Sequence, residues 1–215
     1  MASYKGHLAF SSALGAACGA FGWWYLGLDW GSVLLGAGLT AVGGLLPDLD
    51  SDSGVPVREM FNLAGTITPL LLLRRLHHSA LTTEQVLVVM IGIYLFVRFG
   101  VKQVFMRWTV HRGMFHSVPA MLIAGLAVYL MHHGPDERTR LYLAGGTMIG
   151  FLSHLVLDEI YSVDFMGLRV RLNKYAGSAL KFVSPSWPAT LIAYGILTGL
   201  GVAAWYDFLK SYPGR

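Results

Sequence analysis

From Leu8 onward the chain is a succession of apolar runs cut by short polar connections: 8–28, 32–46, 61–73, 85–99, 118–131, 141–157 and 189–208. The first is long enough to cross about 30 Å of hydrocarbon as a helix. Charged residues make up 13% of the 215-residue chain, against about 25% in an ordinary soluble domain, and mean hydropathy is +0.54. The pattern predicts an all-α, polytopic transmembrane helical bundle of about six spans. Residues 61–73 are the exception, being short and carrying Pro69. They read as re-entrant, as interfacial, or as a span completed by Arg74-Arg75-Leu76. No internal repeat and no long linker divides the chain, so residues 1–215 read as one integral-membrane domain.

Other features fit that reading. Trp23, Trp24 and Tyr25 close the first run as an aromatic belt. The 26 glycines suit close helix–helix approach in lipid. The net charge of +4 marks cytoplasmic loops rather than a nucleic-acid surface, since no basic run is interleaved with aromatics on a soluble face. Cys18 is the single cysteine, which excludes an intrachain disulfide. The N-terminal apolar run exceeds a signal-peptide core and shows no clear cleavage site, so it reads as a membrane helix.

The chemistry lies in a few polar residues that this pattern leaves unexplained. Within the sixth run, Gly-Phe-Leu-Ser-His-Leu-Val-Leu-Asp over 150–158, His154 and Asp158 stand four residues apart. That spacing stacks both on one helical face. Ionisable groups at such depth are costly and persist where they pair, line a cavity or hold an ion. An imidazole and a carboxylate one turn apart are also two aligned metal ligands. Compatible donors recur at His7, at Asp48, Asp50 and Asp52, and at His111 with His116. The three aspartates follow a helix C-terminus that ends before Pro47, where the helix dipole and their own repulsion disfavour them unless a cation offsets both. A calcium-binding loop does not fit, because Gly54 and Glu59 fall out of register. His116 and Ser117 precede the run 118–131 with Pro119 at its start, an arrangement in which helix-end N–H groups and Arg112 suit a phosphate. His77-His78 and His132-His133 read as ordinary surface or loop residues. The polar segment 159–188, with Arg169, Arg171, Lys174 and Lys181, reads as a cytoplasmic loop with a short hairpin near 168–172.

Counting crossings from a cytoplasmic N-terminus brings every candidate donor to one membrane face if 61–99 crosses twice or not at all. The donor set of imidazoles and carboxylates suits zinc first, with manganese or iron also compatible, rather than an all-oxygen calcium site.

The successive motifs Gly6-His7-Leu8, Leu-Leu-Pro-Asp-Leu-Asp over 45–50, His-Arg-Gly-Met-Phe-His-Ser over 111–117 and the 150–158 stretch resemble those of the bacterial inner-membrane proteins catalogued as metal-dependent hydrolases, and also as LexA-binding. The resemblance runs from residue 6 to about 160. It implies distant similarity to zinc phospholipase C and single-strand nucleases, with His7, Asp48, His111 or His116, His154 and Asp158 as metal ligands. The LexA-binding label would imply a protein partner, for which these residues carry no argument.

The expectation is a multi-pass protein of the inner membrane that cleaves a phosphoester, a lipid being one candidate, with a metal-activated water at the cytoplasmic interface. Asp50 is expected as general base or bridging ligand, Arg112 and Ser117 beside the phosphate, and Ser153 as a support for His154 unless it bonds its own helix. The rivals are a transporter or proton/metal conduit lined by His154 and Asp158, and a non-enzymatic membrane adaptor.

Overall fold

The structure is a computed structural model of the chain. It describes residues 4–50, 54–103, 116–133, 136–166, 169–172, 180–184 and 186–211. Among the described residues seven helices carry the fold: α1 (Tyr4–Trp24), α2 (Trp30–Gly43), α3 (Gly54–His77), α4 (Thr83–Leu95), α5 (Val118–Met131), α6 (Glu137–Ile160) and α7 (Trp187–Ser211). A 3-10 turn, Leu46–Asp50, follows α2, and a π-helical stretch, Phe96–Val101, extends α4. After α6 a two-stranded antiparallel hairpin pairs β1 (Val163–Met166) with β2 (Arg169–Leu172), in register from Val163 opposite Leu172 to Met166 opposite Arg169.

The helices start where side chains can satisfy their free amides. Asp29 accepts from the Ser32 N–H and hydroxyl at 3.1 and 2.6 Å, Ser117 accepts from Ala120 N–H at 3.3 Å, and Asp136 accepts from Arg138 N–H at 3.0 Å. Thr82 and Gln85 form a reciprocal cap on α4. Between α1 and α2 the backbone turns through Gly27 at φ 63°, a conformation that suits glycine. The run at 61–73 is not re-entrant: it is the middle of the 24-residue α3, which continues through Arg74 and Arg75 with Pro69 inside it.

Helix α6 is the centre of the bundle. Leu143, Thr147, Phe151, His154 and Asp158 recur at helical spacing on its buried side, while Leu141, Ile149, Leu152, Val156 and Ile160 lie exposed. The buried face of α1 is a stripe at nearly four-residue spacing, His7, Ser11, Gly15, Gly19 and Gly22, and it packs antiparallel on α2, with Gly15 beside the Ala37 carbonyl. Helix α2 lies parallel to α6 at very short range. A Cβ on Gly150 would stand 1.9 Å from the Thr40 carbonyl oxygen, and one on Gly36 would meet the Tyr142 ring at 2.2 Å. Small residues therefore set this separation.

Thr83–Val101, Glu137–Ile160 and Trp187–Lys210 are long and apolar enough to cross a membrane, and Trp30–Gly43 and Val118–Met131 are shorter apolar helices. The outward faces of α4 and α7, with Leu87, Val88, Ile91, Phe99, Leu191 and Ile192 exposed, are the surface such a bundle presents to lipid.

Candidate metal centre

Four segments deliver side chains to one end of the bundle. His7 sits in the first turns of α1, Asp48 in the 3-10 turn after α2, His116 just before α5, and His154 and Asp158 in the last turns of α6. The start of α5 is held by the chain entering α7: Val118 N–H donates to the Lys181 carbonyl at 3.1 Å. His7, His154 and Asp158 are 2%, 1% and 6% exposed, and His116 is 8% exposed. The Asp48 side chain is the most open, at 22%.

The donors face one another. His7 Nε2 is 3.3 Å from Asp158 Oδ1, and His154 Nε2 and His116 Nε2 lie 3.6 and 3.8 Å from Asp158 Oδ2. His154 Nε2 is also 3.5 Å from Asp48 Oδ1. The rings of His7 and His154 stack at 3.7 Å with planes 12° apart, and His116 meets His154 edge-on at 5.4 Å. Two overlapping triads result, His7/His154/Asp158 and Asp48/His116/His154.

These separations discriminate between chemistries. A direct N–H···O bond spans about 2.7–3.2 Å. Two donors on one zinc ion, each about 2.0–2.1 Å from it and set tetrahedrally, stand roughly 3.3 Å apart. The shortest of the four distances equals that value, and the other three, 3.5 to 3.8 Å, lie beyond the hydrogen-bond range. Among the described residues, His154 Nε2 and Asp158 Oδ1 are buried without a hydrogen bond of acceptable geometry. The other nitrogen of His154, Nδ1, is 2.7 Å from the Gly44 carbonyl oxygen. A carbonyl only accepts, so Nδ1 carries a proton, and while the ring is neutral its Nε2 lone pair faces the two carboxylates. A lone pair facing two anions is repulsive, and a cation between them removes the repulsion. Stacked imidazoles at 3.7 Å also disfavour protonating both rings at once. The α2 C-terminus adds the negative end of its dipole at the same place. Burial pushes the Asp48 carboxyl above its ordinary value, against the pull of His154 and His7. The residues present therefore fit a divalent metal with N/O donors, zinc foremost.

Of the residues expected from sequence, His7, Asp48, His116, His154 and Asp158 come together. His111, Arg112 and Asp52 lie outside the described residues, as does the side chain of Asp50. Ser117 is fully buried, with its oxygen capping α5. The helix-start amides expected to hold a phosphate are already used: Val118 donates to Lys181 O, Ala120 to Ser117 Oγ and Met121 to Ser117 O, while residue 119 is proline. Ser153 does not support His154. Its hydroxyl donates to Gly150 O at 2.6 Å in its own helix, and Gly44 is the group that orients the ring.

His77 and His78 are exposed, as expected. His132 is not an ordinary loop residue, since it is 6% exposed and neither ring nitrogen has a hydrogen-bond partner among the described residues. Sequence reasoning also missed a buried polar network at the other end of α6. Arg140, 1% exposed, pairs with Asp207 on α7, reaches Glu137 at 3.3 Å, donates to Tyr129 O at 3.2 Å, and stacks over the Tyr129 ring at 4.0 Å. A charged residue three positions inside a long apolar helix was the available signal.

A family model described as YdjM inner membrane protein matches residues 1–208. The chain belongs to that family. No curated protein and no solved structure matches it.

Proposed function

We propose that this member of the YdjM inner membrane protein family is a membrane-bound, metal-dependent hydrolase of phosphoesters, with zinc as the metal and its ligands drawn from His7, Asp48, His116, His154 and Asp158 so that one position stays open for water. The single observation that supports the site is the set of donor separations, 3.3 to 3.8 Å, which match two ligands sharing an ion better than direct hydrogen bonds. A divalent ion held there supplies a Lewis acid that polarises a phosphoryl oxygen and lowers the pKa of water toward about 7. The chain fixes the ligand orientation through Gly44, excludes bulk water through the burial of its three histidines, and leaves Asp48 at the open edge, where substrate enters and a proton can be accepted. The resemblance of the motifs to those of inner-membrane proteins catalogued as metal-dependent hydrolases supports the reaction class.

The helices alternate in direction, so the reading extends to seven crossings rather than about six, with the metal end in the cytoplasm. By sequence, the segments flanking that end carry Lys5, Arg58, Lys102, Arg107, Arg112, Arg169, Arg171, Lys174 and Lys181, against Arg74, Arg75, Arg138, Arg140 and Lys210 flanking the far end, an excess in the direction expected of a cytoplasmic face. Exposed Leu8, Ile160, Tyr161, Leu180, Phe182 and Val183 surround that end. At a membrane interface such a rim favours a lipid phosphoester arriving sideways from the leaflet. The conduit reading is weaker: among the described residues the buried hydroxyls below His154 are spent on backbone carbonyls, Ser11 at Ala41 O, Thr40 at Gly36 O and Thr147 at Leu143 O.

The test is metal analysis of the purified full-length protein in nanodiscs, with turnover of a phosphodiester reporter and of phospholipid vesicles. Near-stoichiometric zinc and activity lost in His154→Ala are expected. A metal-free wild-type protein, or equal zinc content and turnover in a folded His154→Ala, overturns the proposal.

A further inference from the structure

The segment 44–48 holds His154 at both ends of its ring. The Gly44 carbonyl takes Nδ1 at 2.7 Å, and four residues later Asp48 Oδ1 faces Nε2 at 3.5 Å. Gly44 ends α2, where carbonyls lack the amide of the next turn; Asp48 N–H goes to Leu45 O instead. The Gly44 oxygen is therefore available to the imidazole, and what brings it there is packing. A Cβ at residue 44 would stand 2.3 Å from Ser11 Cβ, 2.8 Å from Ser11 Oγ and 3.2 Å from Gly150 O, while one at residue 150 would strike Thr40 O. Ser11, fully buried, donates to Ala41 O at 3.0 Å and fixes α1 against the same turn.

We propose that Gly44 is a positioning residue for the metal: seated between Ser11 and Gly150, its carbonyl selects the tautomer of His154 that presents Nε2 as a ligand, and its backbone sets the reach of Asp48. The glycine-lined contact of α2 with α6 is then a device for assembling the centre as well as a packing solution. A side chain at 44 pushes the carbonyl off Nδ1 and moves Asp48 with it. This inference rests on the metal reading above.

Groups that orient a ligand typically alter metal affinity by about tenfold to a hundredfold when lost. Gly44→Ala should weaken zinc retention against a competing chelator by at least about tenfold and change the visible spectrum of the cobalt-substituted protein. Ser11→Gly removes the two atoms that the new Cβ would strike hardest and leaves only the Gly150 carbonyl oxygen at 3.2 Å. The double variant Gly44→Ala/Ser11→Gly should therefore recover affinity and spectrum, a rescue that general loosening of the bundle does not produce. A folded Gly44→Ala with wild-type zinc affinity and cobalt spectrum overturns the proposal, as does a double variant as weak as the single. If Gly44→Ala fails to fold, nitrogen NMR of histidine-labelled wild-type protein decides: a protonated His154 Nδ1 is expected, and an unprotonated one overturns the proposal. A wild-type protein without metal sinks the hydrolase reading itself, whereas a metal-loaded wild type with an indifferent Gly44→Ala sinks only this one.

Discussion

Replacing Asp158 by asparagine keeps the volume of the side chain and removes a carboxylate that faces all three histidines, at 3.3 Å from His7, 3.6 Å from His154 and 3.8 Å from His116. If these groups share an ion, the loss shows in how strongly zinc stabilises the fold. A ligand that binds only the native state at one hundred times its dissociation constant adds about 2.7 kcal/mol. For a chain of 215 residues, each kcal/mol moves the unfolding midpoint by about 2–4 °C, so wild-type protein should gain about 5–11 °C. A hundredfold weaker site at the same free zinc sits at its dissociation constant and gains about 0.4 kcal/mol, or about 1–2 °C. The assay is thermal unfolding of protein stripped with chelator and then titrated with buffered zinc. The metal-free midpoints of the two proteins report any packing defect separately. An equal zinc-dependent rise in wild type and Asp158→Asn, or no rise in wild type, refutes the argument.

Asp207→Leu leaves the Arg140 guanidinium, 1% exposed, without its α7 carboxylate; breaking a buried pair in this way costs about 3–5 kcal/mol, or roughly 6–20 °C, and Arg140→Met/Asp207→Leu should recover most of it. A double variant as unstable as the single contradicts that account. Burial first, then Arg74 and Arg140, hold the His132 imidazole below its ordinary value, with Asp29 opposing. The unfolded chain therefore takes up that proton first, and stability is complete above about pH 6.5 and is lost as pH falls toward the folded value. In chelator, the midpoint of wild type should drop relative to His132→Leu between pH 7 and 5, and a difference independent of pH sinks the reasoning. Asp29→Ala removes the α2 cap and should cost about 1 kcal/mol. Hydrogen bonds from the Ser32 side chain and backbone hold the Asp29 carboxyl below its ordinary value, so the cost should appear above pH 4 and fade in unfolding curves taken as the carboxyl protonates.

How far the fold was legible depended on how local its causes are. Residues 118–131 became α5 without adjustment because Ser117, Pro119 and the polar His132 bound the run. Helix α3 was read short because Arg58 and Glu59 interrupt the hydropathy of its first turns and Pro69 suggested a break, although a helix tolerates both. In the centre, His154 and Asp158 were legible from one spacing, and His7, Asp48 and His116 from the argument that the loops return to one face. Gly44 was not, because a backbone carbonyl leaves no mark in a sequence. His132 beside His133-Gly-Pro resembled a turn residue, yet the Leu28–Asp29 turn and the end of α3 lie over that end of the bundle. Arg140 pairs with a residue 67 positions away, and no local pattern announces such a partner.

The two polar clusters on α6 also explain each other. Arg140 and Asp158 are eighteen residues apart, about 27 Å along a helix, close to the roughly 30 Å of a hydrocarbon core. Each cluster therefore sits near a boundary of the membrane, where polar groups are tolerated but incomplete pairing is still costly. At the far end the charges are complete, because Arg140 stands among Glu137, Asp207 and the Tyr129 carbonyl. At the near end Asp48 and Asp158 stand among imidazoles, with no lysine or arginine within ion-pair distance of either among the described residues. One helix thus presents two carboxylate clusters at similar depth, and among the described residues one has a guanidinium beside it and the other has none. The burial that demands a guanidinium at Arg140 demands a positive charge at Asp158 as well. Protonating the stacked His7 and His154 together meets that demand poorly. A divalent ion meets it with one particle, and it makes use of the His154 Nε2 lone pair that the Gly44 carbonyl directs at the carboxylates.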